Sequence, residues 1–132
     1  MKKVNLKTSS QNEFIDITHD VKSYCAKTGI DEGICTVYIP HTTAGVTVNE
    51  NADPNVKRDI LNYLNEIVPR NGDFTHSEGN SDSHIKSSFM GCSKTFIIER
   101  SQIILGTWQG IYFCEFDGPR NRHFYITATT GR

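Results

Sequence analysis

The sequence predicts an α+β fold of about seven mostly antiparallel strands in a two-sheet sandwich, with two or three helices. Three observations predict it. Short runs rich in β-branched and aromatic residues, such as "GICTVYIP", "SKTFIIERSQI" and "RHFYITATT", are bounded by clusters of Gly, Pro, Asn and Ser, the mark of strands joined by turns. From Val56 through Ile60 and Leu64 to Ile67 or Val68 the apolar residues recur at helical spacing. The 132 residues fit one domain, residues 1–132, large enough to bury roughly two-thirds of the surface of the unfolded chain.

In order, "VNLKT" and "EFIDITHDV" read as two strands separated by the polar cluster "SSQN", a hairpin arrangement. "DVKSYCAKTG" carries Val21, Tyr24 and Cys25 on one side and ends in Gly29, the spacing and stop signal of a short helix. "GICTVYIP" is a strand that Pro40 ends, since proline cannot donate to a ladder. In "HTTAGVTVNENADP", His41, Thr43, Gly45, Thr47 and Asn49 point to one side of an extended chain, and Ala44, Val46 and Val48 to the other. Asp53 before Pro54 starts the main helix, because a carboxylate accepts from orphan N–H groups and proline suits the first turn. Residues 70–83 show no periodicity, and a loop of that length in a compact domain is usually functional. "HIKSSFMG" reads as a short helix capped by Asp82 or Ser83 and stopped by Gly91. Three strands follow, in "SKTFIIERSQI", "GTWQGIYFCEF" and "RHFYITATT", with "FDGPRNR" as a turn.

Composition narrows the function. Fourteen Lys and Arg against 15 Asp and Glu give a net charge of −1, so no broad field draws in nucleic acid or an anionic membrane. No apolar run reaches the roughly 20 residues of a membrane span, and the basic start has no apolar signal core, so the expected address is the cytoplasm. The four cysteines form no C-x-x-C and read as reduced thiols.

Four constellations carry possible chemistry. His41, His76 and His84 are candidate ligands for a divalent metal, zinc or magnesium, provided the long loop folds back; three imidazoles and a water make a common catalytic zinc site. His76 could equally be a plain loop residue, and His19 and His123 have no visible partner. Asn49, Asn51 and Asp53 form a polar cluster in line with His41; Asp53 is also a helix cap, or the base of a hydrolase. Lys86 and Ser87, at a helix start with Arg120 and Arg122 in the later turn, are the groups of a phosphate site. Trp108 and Gln109 could stack on and bond a flat ring, while Glu115, in register with Ile111 and Phe113, is an acid among apolar neighbours and a candidate for proton transfer with His84.

Together "HTTAGVTVNENADP", "DFTHSEGNSDSHIKSS" and "GTWQGIYFCEFDGPRNR" resemble the YjbQ family, and the similarity runs essentially end to end. The resemblance implies a YjbQ-like sandwich and a homotrimer. It also implies a weak thiamine phosphate synthase activity, joining hydroxymethylpyrimidine diphosphate to thiazole phosphate with release of pyrophosphate. Small phosphorylated metabolites are the expected partners. Two other readings stand beside this one: a zinc-dependent hydrolase, and a non-catalytic trimeric module that binds a metabolite.

Overall fold

The computed structural model describes residues 1–131 and has the expected architecture, with eight strands and three helices. The strands are β1 (Lys2–Lys7), β2 (Glu13–Asp16), β3 (Gly33–Tyr38), β4 (Ala44–Glu50), β5 (Ser93–Glu99), β6 (Gln102–Ile103), β7 (Gln109–Glu115) and β8 (Asn121–Thr130). The helices are α1 (Thr18–Thr28), α2 (Pro54–Ile67) and α3 (Ser81–Met90). Every pairing is antiparallel, in a five-stranded sheet of order β1-β8-β3-β5-β6 and a three-stranded sheet of order β2-β7-β4.

The layers follow from strand periodicity. In β7, Ile111 and Phe113 face the main core, which also contains Val37, Phe124 and Ile126 of the large sheet and Val21 and Cys25 of α1. The alternate residues Tyr112 and Cys114 face a second core with Phe14, Phe116 and Leu64 of α2. A strand buried on both faces reads as a near-continuous apolar run, as "GIYFCEF" does.

Local signals set the helix ends. Asp53 accepts from the Asn55 N–H at 2.9 Å, with Pro54 in the first turn. Gly29 ends α1 at φ 72°, a left-handed conformation in which a Cβ is costly. Helix α3 starts earlier than "HIKSSFMG" predicts, after Asn80 and without a side-chain cap.

Two strand expectations are corrected. β1 and β2 are not a hairpin: β1 pairs with β8 and β2 with β7, so the "SSQN" turn carries the chain from one sheet to the other. "SKTFIIERSQI" is two strands, because Arg100 and Ser101 turn the chain at φ 53° and 66° and bring Gln102 back opposite Glu99. Among the described residues all four cysteines are free, with Cys92 exposed, and no helix is long and apolar enough to cross a membrane.

Candidate functional site

The register of the small sheet divides the candidate residues between its two ends. Ala44 stands opposite Glu115, and Glu50 opposite Gln109. His41, Glu115 and Arg122 therefore belong to one end, and Asn49, Asn51, Asp53, Trp108 and Gln109 to the other, roughly 20 Å away at about 3.3 Å per residue.

At the first end a cleft of about 480 Å³ opens between the turn entering β4 and helix α3, lined by His41, Thr42, Ala44, His84, Ser87, Ser88, Gly91 and Cys92. A shallower hollow of about 410 Å³, lined by Asp73, Phe74, Thr75, His76, Ser81, His84 and Ile85, adjoins it. His84 belongs to both. Its ring lies 5.2 Å from that of His76, edge to face. The long loop thus folds back onto α3, as a shared site requires. Helix α3 approaches β4 closely at Gly45, where an added Cβ would sit 2.8 Å from the Gly91 carbonyl.

His41 is fixed by the end of β3. Continuing the β3–β8 register from Tyr38 and Tyr125 would set Pro40 opposite His123, and proline has no N–H to offer. The His41 ring takes that place, with Nε2 2.9 Å from the His123 carbonyl and 3.2 Å from its N–H nitrogen. Nε2 donates to the carbonyl in one tautomer and accepts from the N–H in the other, and either bond pins the ring beside β8. Burial lowers the His41 pKa, and the nearby Arg122 charge adds to the effect despite the His123 hydrogen bond, so the neutral ring is favoured.

Two histidines on one tetrahedral ion at about 2.0–2.1 Å have ring centroids roughly 5 Å apart, so the His76 and His84 rings suit shared coordination. Among the described residues, however, no three His, Cys, Asp or Glu side chains converge to complete a metal shell. His41 faces the same cleft as His84 without closing on the pair.

Behind the cleft lies a buried polar network that absorbs several residues expected to face ligand. Glu115, 0% exposed, accepts from Arg122 Nε at 2.8 Å and Nη2 at 2.5 Å, from Thr8 Oγ1 at 2.8 Å, and from the Phe116 and Asp117 N–H groups at 3.1 and 3.0 Å. Burial alone would raise its pKa, but the Arg122, Asp117 and Thr8 hydrogen bonds outweigh burial and hold it below the usual carboxylate range. A carboxylate so saturated is a poor proton carrier, so the acid-base role expected of Glu115 gives way to a structural one, and Arg122 is committed with it. Lys86, expected to meet a phosphate, is 1% exposed and donates inward to Asn65 at 2.6 Å and Asp82 at 3.2 Å. Ser87 donates to the Thr42 carbonyl at 2.5 Å and ties α3 to the cleft floor. Arg120 bonds Asp117, which Arg70 and Asn80 also reach; burial pushes the Asp117 carboxyl up, while these donors hold it low.

At the far end Trp108 is 62% exposed, and Gln109 accepts from the Gly106 N–H at 2.7 Å, closing its own turn. Asn49 accepts from the Glu50 N–H, and Asn51 bonds Asp16 while packing where a Gly110 side chain would be. These residues shape the sheet end and do not reach the imidazoles. Sequence reasoning missed Arg70, Asn80, Asp82, Asp117, Thr8 and Thr43. Only the Asp82–Lys86 spacing of four on a helix signalled a pair.

A family model described as "UPF0047 protein YjbQ-like" matches residues 2–131. The chain belongs to the YjbQ family. Among its YjbQ relatives, UPF0047 protein MJ1081 of Methanocaldococcus jannaschii is 55% identical over 94% of this chain and 90% of the relative. UPF0047 protein YugU of Bacillus subtilis is 51% identical over 96% of each. A crystal structure of a YjbQ/UPF0047 protein from Clostridium acetobutylicum superposes with a TM-score of 0.96 at 52% identity, over 98% of this chain and all of that one. A crystal structure from Sulfolobus solfataricus described as a "YbjQ-like protein of unknown function" gives 0.94 at 30% identity over 98% of this chain and 96% of that one.

Proposed function

We propose that this YjbQ protein is an enzyme acting on a small phosphorylated metabolite, with its reacting centre in the cleft where His84 stands between His41 and His76. The observation that carries the reading is the 5.2 Å approach of the His76 and His84 rings beside the cleft that His41 lines. His76 and His84 would hold a divalent ion, and imidazole donors favour zinc over magnesium, which prefers oxygen. Such an ion, when bound, polarises a phosphoryl oxygen and acidifies bound water. The neutral His41 ring lines the cleft and would take a proton there, and the Ser87 tie to Thr42 keeps α3, which carries His84, against the entry to β4, which carries His41.

The reaction assigned is the transfer that the resemblance implies: the bond from the pyrimidine methylene carbon to pyrophosphate breaks as the thiazole nitrogen bonds that carbon. The test is metal-stripped protein titrated with zinc, magnesium or manganese in the presence of both substrates, with pyrophosphate release as the readout. Metal-dependent release, lost in His84→Ala and His76→Ala and kept in His19→Ala, is expected. No release with any ion removes the synthase reading. Assembly as a homotrimer is part of the proposal, and light scattering checks it.

A zinc-dependent hydrolase is the second reading, favoured by the burial of Lys86 and the remoteness of Trp108 from the imidazoles. Turnover of phosphoesters or esters by zinc-loaded protein that makes no thiamine phosphate would select it.

A further inference from the structure

His76 is carried by residues 71–79, a segment between α2 and α3 that contributes no side chain to either hydrophobic core. Among the described residues its hydrogen bonds stay local: the Gly72 N–H donates to the Pro69 carbonyl, the Phe74 N–H to that of Gly72 and the Gly79 N–H to that of His76. A segment with so little packing of its own is placed by its ends. Here both ends reach one carboxylate. At the start, both terminal nitrogens of Arg70 lie 3.3 Å from Asp117 Oδ1. At the finish, Asn80 Nδ2 donates to Asp117 Oδ2 at 2.9 Å. Asn80 is 6% exposed and its Oδ1 has no partner among the described residues, so the bond to Asp117 is the polar tie of that side chain. Arg70 also donates to Ser83 Oγ at 3.1 Å and to Asp82 at 3.4 Å, so the Asn80 tie is the one that can be cut cleanly. Asp117 itself is fixed from behind: its N–H donates to Glu115 Oε2 at 3.0 Å, and Arg120 donates to its carbonyl at 2.7 Å and to Oδ2 at 2.9 Å.

We propose that Asp117 is the positioning residue of His76: by taking Arg70 and Asn80 together, one carboxylate closes the 71–79 loop over α3 and sets the His76 ring against His84. The consequence for a metal rests on the reacting centre proposed above, whereas the closure itself is read without metal. A hydrogen bond to a charged group shifts an equilibrium roughly ten- to a hundredfold, so loss of the Asn80 tie should raise the open fraction of the loop by that factor.

The experiment is limited proteolysis of the full chain with chymotrypsin, read by mass spectrometry as the cut after Phe74, which is 38% exposed within the loop. Cutting follows the open population when opening is fast. Asn80→Asp keeps the shape but sets two carboxylates against each other, and should speed that cut roughly ten- to a hundredfold; Asp117→Asn should do the same. Combining the two changes again faces an amide with a carboxylate and should recover part of the resistance. Arg122→Lys, which lowers overall stability without touching either tie, should leave the cut near its original rate. NMR should show the contact between the His76 and His84 rings lost in both single variants and kept in Arg122→Lys. The proposal falls if the single variants are cut no faster and keep the ring contact. It also falls if Arg122→Lys speeds the cut as much as they do, which would make the effect one of general stability. Zinc affinity, measured separately by calorimetry, should fall in the two single variants as the competent fraction of the loop falls. Equal zinc affinity with the loop released, or no zinc binding by the unaltered protein, would count against the reacting centre and not against the closure.

Discussion

Glu115 and Arg122 close on each other as a two-point ion pair inside the protein, through Nε at 2.8 Å and Nη2 at 2.5 Å, seven residues apart on strands of different sheets. The pair spans the turn from β7 to β8, and Arg122 Nη2 continues to Thr43 Oγ1 at 2.8 Å beside the entry to β4. One guanidinium therefore ties the end of β7 and the start of β8 to the entry of β4, which lines one side of the cleft. Removing one partner leaves a buried charge unpaired, which costs about 3–5 kcal/mol. Arg122→Ala should lose stability on that scale by urea denaturation. Arg122→Lys should recover only part of it, since an ammonium cannot reproduce the two-point geometry.

The same network sets the acid limit of the fold. Glu115 and Asp117 both have folded pKa values below their unfolded ones, because their donors outweigh burial. Their stabilisation is present above the unfolded pKa values and is lost as pH falls through the folded ones. The urea midpoint should be flat near neutrality and should fall steadily below about pH 5. Glu115→Gln should start from a lower midpoint and show a shallower acid slope; an unchanged slope would remove Glu115 as a source.

How much of this was legible depended on whether a residue's role was local. The α2 cap by Asp53, the Gly29 stop and the shared side of Ile111, Phe113 and Glu115 are consequences of spacing along the chain, and the structure has them. The separation of Trp108 from His41 follows from the β4–β7 register, and the fate of Lys86 from the packing of α3 over β4. Neither is encoded within a window of neighbouring residues. Periodicity placed Glu115 among apolar side chains, where a carboxylate takes either a raised pKa or a firm partner, but could not show that the partner is Arg122 from the other sheet.

The turn between β5 and β6 is an improvable element. Arg100 and Ser101 both have positive φ, as a two-residue hairpin of type I′ requires, and both carry a Cβ that disfavours it. Left-handed backbone costs an ordinary residue roughly 1–2 kcal/mol. Arg100→Asn with Ser101→Gly should raise stability by about 1 kcal/mol after the added flexibility of glycine is counted, a rise in Tm of roughly 3–5 °C by calorimetry. A fall in Tm would mean that the Arg100 or Ser101 side chain stabilises the turn by more than its backbone costs.

Lys86 separates a structural lysine from a ligand-binding one. Its ammonium sits between Asn65 of α2 and Asp82 of α3, with side chains 1% and 0% exposed for the Lys86–Asp82 pair, so it joins the two helices that cover the small sheet. A lysine that met phosphate at the surface could be truncated with little loss of stability and a large loss of anion affinity. The burial here implies the reverse. Lys86→Ala removes the closer partner of the buried Asp82 carboxylate, leaving only Arg70 at 3.4 Å, and should cost about 3 kcal/mol in urea denaturation. Removing the charge of Asp82 as well, in Lys86→Met with Asp82→Asn, should recover a good part of that loss, because the interior then holds no unpaired ion. If phosphate affinity fell in the double variant while its stability recovered, Lys86 would have to reach the ligand by leaving Asp82, and the interior pair would be its resting state.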